Sequence, residues 1–481
     1  MDRISSIGGV TMIKFGTGGW RALIGEEFTK DNVKLLSQAV ANMIISEHVE
    51  EYDFVVGYDR RFLSDKAAKW MSEVLAGNGI KVIYIEKIAP TPLVMFTVQM
   101  QHSKYGAAIT ASHNPADYNG IKIFTEGGKD ATEIVTEKIE TFIEQVDRKD
   151  MKSIEFDLGV EKGLIIKSDP MNAYIDSIIN MINIDAIRKR HLKILLDPMF
   201  GVSKTSLQTV LITARCDVDI INDRHDTLFG GRLPSPSLET LQRLRSTVME
   251  SGYDLGIGTD GDADRLGIID SNGAFIHPNS ILILLYYYLL KYKGLKGCAV
   301  RNLTTTHLLD KIADKFGEKC YEVPVGFKHI CSKMEEEDAI IGGESSGGLS
   351  IKGHIKGKDG IFAASLLVEM ISVTGKSLTD LLNELYVEFG YCYMAENAYI
   401  FDQDTKDRLE KLLYQDKKLP EFQYEIEKVS YIDGVKVYFI NGGWISARFS
   451  GTEPLLRIFA EMETELLSKE VCDDMTKFLG L

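Results

Sequence analysis

The sequence lacks clustered cysteines, an excess of basic residues and any long apolar run, and each absence removes a class of function. Its six cysteines, Cys216, Cys298, Cys320, Cys331, Cys392 and Cys472, stand singly with no CxxC spacing. That pattern supports neither a disulfide frame nor a zinc site, and fits reduced thiols in the cytoplasm. The most apolar run, Ile281 to Leu290, covers ten residues before Lys291. A spanning helix needs about twice that length, so the run reads as a core helix and no membrane partner is expected. The start, Met-Asp-Arg-Ile-Ser-Ser, shows no charged region leading into an apolar stretch, so no signal peptide is evident. Met12, just before Ile13-Lys14-Phe15, is an alternative first residue. Lys and Arg number 55 against 70 Asp and Glu, a formal net charge of −15. This balance argues against nucleic acid or an anionic membrane as the main partner, because both are bound by clustered Lys and Arg. A phosphorylated ligand would meet the same unfavourable field, so local cations would have to capture it.

With 481 residues, 44% of them hydrophobic, the chain has material for several buried cores, and its length suggests three or four domains. From Asn32 to Val49, Val33, Leu36, Val40, Met43 and Ile44 form the apolar stripe of an amphipathic helix. A strand at Phe54-Val55-Val56, a helix from Ser64 to Ala76 ended by Gly77-Asn78-Gly79, and a strand at 81–85 together suggest a βαβ unit. Similar strand–helix–strand patterns recur at 194–221 and 297–323, which suggests three related α/β domains in tandem. From Phe389 onward the pattern changes to strands at 435–440, 444–449 and 455–460 with a closing helix, a smaller α+β domain with antiparallel pairing.

Four segments carry chemistry. In Thr110-Ala111-Ser112-His113-Asn114-Pro115 a hydroxyl lies beside an imidazole, and Lys122 follows ten residues after the serine. Small and turn-prone neighbours suggest that Ser112 is exposed to a substrate. No Gly-x-Ser-x-Gly elbow occurs, so a hydrolase triad is not supported. The second segment, Gly258-Thr259-Asp260-Gly261-Asp262-Ala263-Asp264-Arg265, lies between apolar runs. Three alternating carboxylates require a cation, and a hard divalent ion with oxygen ligands, Mg²⁺ first, is the natural one. A calcium EF-hand loop would need an acidic side chain at position 12, where Ser271 stands. Arg265 is placed to hold a phosphoryl oxygen. In the third, Gly342-Gly343-Glu344-Ser345-Ser346-Gly347-Gly348, an extended backbone would turn Glu344 and Ser346 the same way, toward the hydroxyls of a polyol. The fourth is Arg448-Phe449-Ser450-Gly451-Thr452-Glu453-Pro454 with Arg457 beyond, where strand alternation puts Arg448 and Ser450 on one face. Ser450, Gly451, Thr452 and the arginines make a candidate phosphate cradle.

Taken together these segments resemble one family, the α-D-phosphohexomutases, which include phosphoglucomutase and phosphomannomutase. Order and spacing match over nearly the whole chain, and Phe15-Gly16-Thr17 with Gly19-Trp20-Arg21 is similar to the family's N-terminal signature. The resemblance implies four domains around a central cleft: three tandem related α/β domains with mixed sheets, at 1–165, 166–271 and 272–386, and a C-terminal α+β domain at 387–481. It implies a phosphoryl group on Ser112 and one Mg²⁺ held by Asp260, Asp262, Asp264 and phosphorylated Ser112. The implied reaction moves phosphate between O1 and O6 of a hexose through a hexose 1,6-bisphosphate, with glucose 1,6-bisphosphate as primer, a phosphorylated hexose as partner, and a monomer or homodimer as the working form. Arg21, Lys122 and Arg265 are suitable charge neutralisers, and Arg448, Ser450, Gly451, Thr452 and Arg457 would hold the phosphate that does not react. Glu344 and Ser346 would read the sugar hydroxyls, with Lys328 in the specificity loop beside them.

One departure is informative. Some bacterial members end the sugar loop in Gly-His, whereas this chain has Gly348. It then has Lys358 before Asp359-Gly360, similar to the phosphoglucomutase version, which makes Lys358 a candidate acid/base beside Lys122 and His113. Glucose phosphate is the favoured substrate, with mannose phosphate also accepted. Phosphoglucosamine mutase is the alternative, although Ser345 and Gly348 depart from its usual Gly-Glu-Gln-Ser-Gly-His loop. A magnesium phosphatase with an aspartate nucleophile and a non-catalytic sugar-phosphate sensor are the remaining alternatives. Reorientation of a bisphosphate implies closure of the fourth domain about a hinge at 386–390.

Overall fold

The computed structural model describes residues 13–16, 18–449 and 455–481. They form two compact units: one runs to His277 and takes back Gly347–Ser377, and the other holds Pro278–Ser346 and Leu378–Leu481.

The first unit contains two mixed sheets. In the larger, Trp20–Leu23, Tyr118–Thr125, Tyr105–Ile109, Phe54–Tyr58, Val82–Ile85 and Ile165–Ser168 lie in that order, with Lys129–Asp130 added to Tyr118–Thr125. The Tyr118–Thr125 strand runs antiparallel to both neighbours, and the strands beyond Tyr105–Ile109 are parallel. The stripe read from the sequence lies on helix Lys30–Ser46, where Val33, Leu36, Val40, Met43 and Ile44 are all buried. Thr29 caps that helix by accepting a hydrogen bond from Asn32 N–H at 3.3 Å. The second sheet has the order Phe275–Ile276, Leu266–Asp270, Leu255–Thr259, Lys193–Asp197, Asp217–Ile220. Its central hairpin, Leu255–Thr259 with Leu266–Asp270, carries the acidic loop at its tip.

In the second unit Ala299–Asn302 pairs in parallel with Cys320–Val323 and with Ile341–Gly343. The apolar run at 281–290 lies in helix Pro278–Lys291 and is buried except at Tyr287, as a core helix should be. The C-terminal sheet is antiparallel throughout: Tyr393–Ile400, Leu455–Met462, Trp444–Phe449, Val435–Phe439, Ile426–Ser430. Ile445, Ala447 and Phe449 enter its core, so Arg448 faces the other way, as the alternation required. Among the described residues no single helix is long and apolar enough to cross a membrane.

Candidate active site

Three neighbouring strands of the first sheet deliver the serine loop and its cations. The loop joins Tyr105–Ile109 to Tyr118–Thr125, and Lys122 sits opposite Ala108 on the return strand. Arg21 pairs with Gly120 on the next strand, which puts it diagonal to Lys122 on the same sheet face, and its Nη1 donates to Asn114 Oδ1 at 2.6 Å. Ser112 itself is buried rather than exposed. Its Oγ donates to Asp260 Oδ2 at 3.0 Å and lies 3.4 Å from His113 Nδ1. The cause of the burial is the acidic loop, which closes directly over the serine: a Cβ on Gly261 would stand 2.7 Å from Ser112 O. Only glycine permits that approach between two aspartates.

Ser112 has φ of +52°, a left-handed conformation costly for a residue with a side chain. Both of its peptide groups are held by side chains. Its N–H donates to Thr110 Oγ1 at 2.8 Å, and Thr110 Oγ1 in turn donates to Asp59 Oδ2 at 2.7 Å. Its carbonyl accepts from Arg61 Nη2 at 2.6 Å. The same guanidinium donates to the carbonyls of Asn114, Pro115 and Tyr118 at 2.7, 2.7 and 3.0 Å. Its Nε lies 3.4 Å from Asp59 Oδ2, with neither side chain more than 1% exposed. Arg61→Met is therefore expected to cost about 3 kcal/mol or more, because it strands a buried carboxylate. Thermal unfolding of the variant, compared with Asp59→Asn/Arg61→Met, checks this; equal destabilisation of the single and double variants would contradict it.

The acidic loop divides its oxygens into two sets. Asp262 Oδ2 accepts from Lys122 Nζ at 2.6 Å and from Thr91 Oγ1 at 2.7 Å. Asp264 Oδ2 accepts from Lys122 Nζ at 2.8 Å and pairs with Lys358 Nζ at 2.9 Å. Asp260 Oδ1 accepts from Arg265 N–H at 3.0 Å. Asp262 Oδ1 and Asp264 Oδ1 are buried with no hydrogen-bond partner, Arg265 Nε lying 3.8 Å from the latter. The three buried carboxylates each offer an oxygen, all within 4.8 Å of one another. Orphaned carboxylate oxygens are costly unless something binds them, so this donor set fits a hard divalent cation.

Protonation follows from the same contacts. Burial, with Asp262 and Asp264 alongside, pushes the Asp260 carboxyl well above the ordinary range. Burial and Asp264 also press Asp262 upward, but Lys122 and Thr91 outweigh them and its carboxyl ends below the usual value. Burial likewise opposes ionisation of Asp264, where Lys122, Lys358 and Arg265 prevail and hold it well below. For Lys122, burial opposes the charge and the two aspartates more than offset it, so its pKa is raised. A lysine held charged neutralises and donates. Arg265, then burial, then Arg21 depress His113, which is held as neutral imidazole.

Lys358 reaches the site because position 348 carries no side chain. A Cβ on Gly348 would stand 2.3 Å from Lys358 Cδ, so the lysine runs through the volume that a side chain at 348 would fill. Asp359 anchors it: Oδ1 caps helix Gly360–Thr374 through Ile361 and Phe362 N–H at 2.8 and 2.9 Å. Its Oδ2 accepts from Tyr174 OH at 2.7 Å and lies 2.7 Å from His354 Nε2. Gly360 N–H donates to Ala263 O at 3.2 Å, which ties the helix start to the acidic loop.

In the second unit Glu344 follows strand Ile341–Gly343 but is not in an extended segment. Residues 345–346 form a turn, so Glu344 and Ser346 do not alternate as strand neighbours. Ser346 Oγ instead folds back to Glu344 Oε2 at 3.4 Å; the glycines on both sides favour the turn. Glu344 Oε1 accepts from Asn302 Nδ2 and Gly326 N–H, both at 3.2 Å. Lys328 lies in the first turn of helix Phe327–Glu336, directly after that glycine. Arg448 and Arg457 face each other across strands Trp444–Phe449 and Leu455–Met462. Like charges so placed repel; Asp433 holds Arg448 at 2.8 Å and Glu396 lies 3.5 Å from Arg457. Ser450, Gly451 and Thr452 lie outside the described residues, as does Thr17 of the N-terminal signature.

Four family models match the chain in succession: phosphoglucomutase/phosphomannomutase alpha/beta/alpha domain I at residues 12–150, domain II at 172–273, domain III at 277–389 and the C-terminal domain at 405–478. The chain belongs to the phosphoglucomutase/phosphomannomutase family. It is 32% identical over 470 residues to the phosphoglucomutase/phosphomannomutase of Thermococcus kodakarensis, covering 97% of this chain and 98% of that one. It is 29% identical over 469 residues to the phosphoglucosamine/phosphogalactosamine mutase of Sulfurisphaera tokodaii, at 97% and 98% coverage. A crystal structure from Thermus thermophilus assigned as a phosphomannomutase superposes with a TM-score of 0.85 at 29% identity, covering 98% of this chain and 100% of that one. The four-domain architecture of the family, three alpha/beta/alpha domains and a C-terminal one, is the architecture of this chain.

Three residues of this family member escaped the sequence reading: Asp59, Arg61 and Thr91. The signal for the first two was the charged run Asp59-Arg60-Arg61 directly after the buried strand Phe54–Tyr58, where the carboxyl end of a parallel strand opens on a site. Thr91, beside two prolines, left no comparable trace.

Proposed function

We propose that this phosphohexomutase interconverts hexose 1-phosphate and hexose 6-phosphate, with glucose phosphate preferred and mannose phosphate also accepted. The observation that carries the reading is the position of Ser112 Oγ, 3.0 Å from Asp260 Oδ2 and beside a carboxylate cluster whose outer oxygens are already taken by lysines. We read a serine so placed as a phosphoryl carrier: beside its oxygen stands the carboxylate set that would hold a divalent cation, whose charge would stabilise the transferring group.

Asp260, Asp262 and Asp264 would hold one Mg²⁺, which supplies charge neutralisation at the phosphoryl oxygens. The chain's own residues do the rest. The bond from Ser112 Oγ to phosphorus breaks as the free sugar hydroxyl forms its own bond to the same phosphorus, and the proton lost by that hydroxyl ends on the departing Ser112 Oγ. Arg21 and Arg265 neutralise the moving phosphoryl group, while Arg61 and Thr110 keep Ser112 Oγ in place for the return transfer. Neutral His113, 3.4 Å from Ser112 Oγ, would hydrogen-bond that oxygen, and Lys358, 2.9 Å from Asp264, is the proposed proton donor. Glu344 would accept hydrogen bonds from sugar hydroxyls, with Ser346 and Lys328 beside it. Arg448 and Arg457, with Ser450, Gly451 and Thr452, would hold the second phosphate. The intermediate is then a hexose 1,6-bisphosphate.

Glucosamine phosphate is the second reading, favoured by the amino-sugar mutase of Sulfurisphaera tokodaii among the relatives. Assays with glucose, mannose and glucosamine 1-phosphates, each primed with its bisphosphate, decide between them. Highest kcat/KM with glucose 1-phosphate is expected; activity confined to the amino sugar would overturn the preference.

A further inference from the structure

The hairpin joining Ile426–Ser430 to Val435–Phe439 carries Asp433 at its tip, and this one carboxylate faces two functional segments. Its Oδ1 accepts from Arg448 Nε at 2.8 Å, and its Oδ2 accepts from Val325 N–H at 2.8 Å. The next N–H, that of Gly326, donates to Glu344 Oε1 at 3.2 Å. Asp433 therefore stands between the arginine assigned to phosphate and the loop that orients the carboxylate assigned to sugar.

The hairpin tip is fixed on both sides. Gly434 has φ of +87°, and a Cβ there would lie 2.6 Å from Ala447 O and 3.1 Å from Arg448 Cα, so the turn rests directly on the backbone of Arg448. Two residues on, buried Lys436 fastens the same hairpin to strand Cys320–Val323, which leads into the 325–326 loop, and to the end of strand Ala299–Asn302. Its Nζ donates to Leu303 O at 2.6 Å and to Glu322 Oε2 at 2.7 Å, and lies 2.9 Å from His307 Nε2. The Trp444 ring covers it at 4.1 Å, and Tyr438 OH donates to the other oxygen of Glu322. A displacement of Arg448 thus has a short, stiff route to the 325–326 loop.

We propose that Asp433 is a positioning residue that couples phosphate recognition at Arg448 to hydroxyl recognition at Glu344. The proposal rests on the reading of those two residues as substrate ligands. A guanidinium held at Nε keeps its two Nη groups in a fixed plane for a phosphate. The other oxygen of the same carboxylate sets the backbone that hydrogen-bonds Glu344, so each subsite is completed when the other is in register.

A double-mutant cycle on the full-length protein tests this. KM for glucose 1-phosphate is measured for Arg448→Ala, Glu344→Gln and the double variant, in the native background and with Asp433→Ala. In the native background the double variant's KM is expected to fall short of the product of the single effects by about threefold or more, and with Asp433→Ala to match that product. Asp433→Asn, which keeps an acceptor for Val325 N–H and loses the charge on Arg448, should give intermediate coupling and serves as a control for folding of the alanine variant. Equal coupling with and without Asp433, or additivity in the native background, would overturn the coupling alone. Single variants with unchanged KM would overturn the substrate reading, and the coupling with it.

Discussion

Ser112→Ala is expected to lower mutase turnover by about 10⁴-fold or more while leaving the fold intact. The size follows from the role: without the oxygen, no covalent phosphoryl carrier exists and the two-step transfer has no first step. The intact fold follows from the local contacts. Thr110 and Arg61 hold the peptide groups of residue 112, and alanine keeps both; the left-handed φ costs the two residues alike. Intact-mass spectrometry gives an independent reading. The native protein should contain a subpopulation about 80 Da heavier, one phosphoryl group, which disappears in the variant. Full turnover by Ser112→Ala would sink the phosphoserine mechanism whatever the mass spectrum showed.

The second large effect concerns the acidic loop. Asp264→Asn should weaken Mg²⁺ binding by more than about 100-fold, since even outer partners of metal ligands are worth 10–100-fold. It should also abolish turnover in the same range of added Mg²⁺. The substitution removes one orphaned oxygen's charge and takes from Lys122 and Lys358 the carboxylate they share, leaving Lys122 its bond to Asp262. The pH dependence has a definite sign. The Asp260 carboxyl is raised by burial and by its two neighbours, so below that raised pKa it is protonated and a cation must displace the proton. Mg²⁺ affinity in the native protein should therefore rise with pH, with proton release on binding. Calorimetric titration in buffers of different ionisation enthalpy reads both quantities. Unchanged affinity in Asp264→Asn would remove the carboxylate cluster from metal binding altogether.

How much of this was legible beforehand depended on how local the chemistry is. The alternating aspartates and the Ser-His pair stand within a few residues of one another, so spacing alone exposed them. The same holds for strand Trp444–Phe449, where alternation assigned Arg448 to the outer face. Arg61 was hidden because its four carbonyl partners lie 51 to 57 residues away, and nothing in its own neighbourhood announces them. Burial of Ser112 was missed for a similar reason: the loop that covers it comes 148 residues later. Glu344 and Ser346 were assigned to an extended segment from their spacing, but the flanking glycines ended the strand at Gly343. Asp433 and Lys436 are ordinary surface-type residues in sequence. They are drawn inward only because the outer face of the C-terminal sheet is covered within its unit.

Gly348 and Lys358 share one volume, and this has a consequence for how the chain can change. With Lys358 in place, any residue larger than glycine at 348 puts its Cβ against the lysine's Cδ at 2.3 Å. Shortening residue 358 clears the space but leaves Asp264 short of a cation. The two positions are thus expected to be coupled: a side chain at 348 requires Lys358 to swing out of this path and away from Asp264, and a change at 358 opens room at 348. Libraries that vary the two positions together are therefore expected to recover combinations that libraries varying one at a time miss.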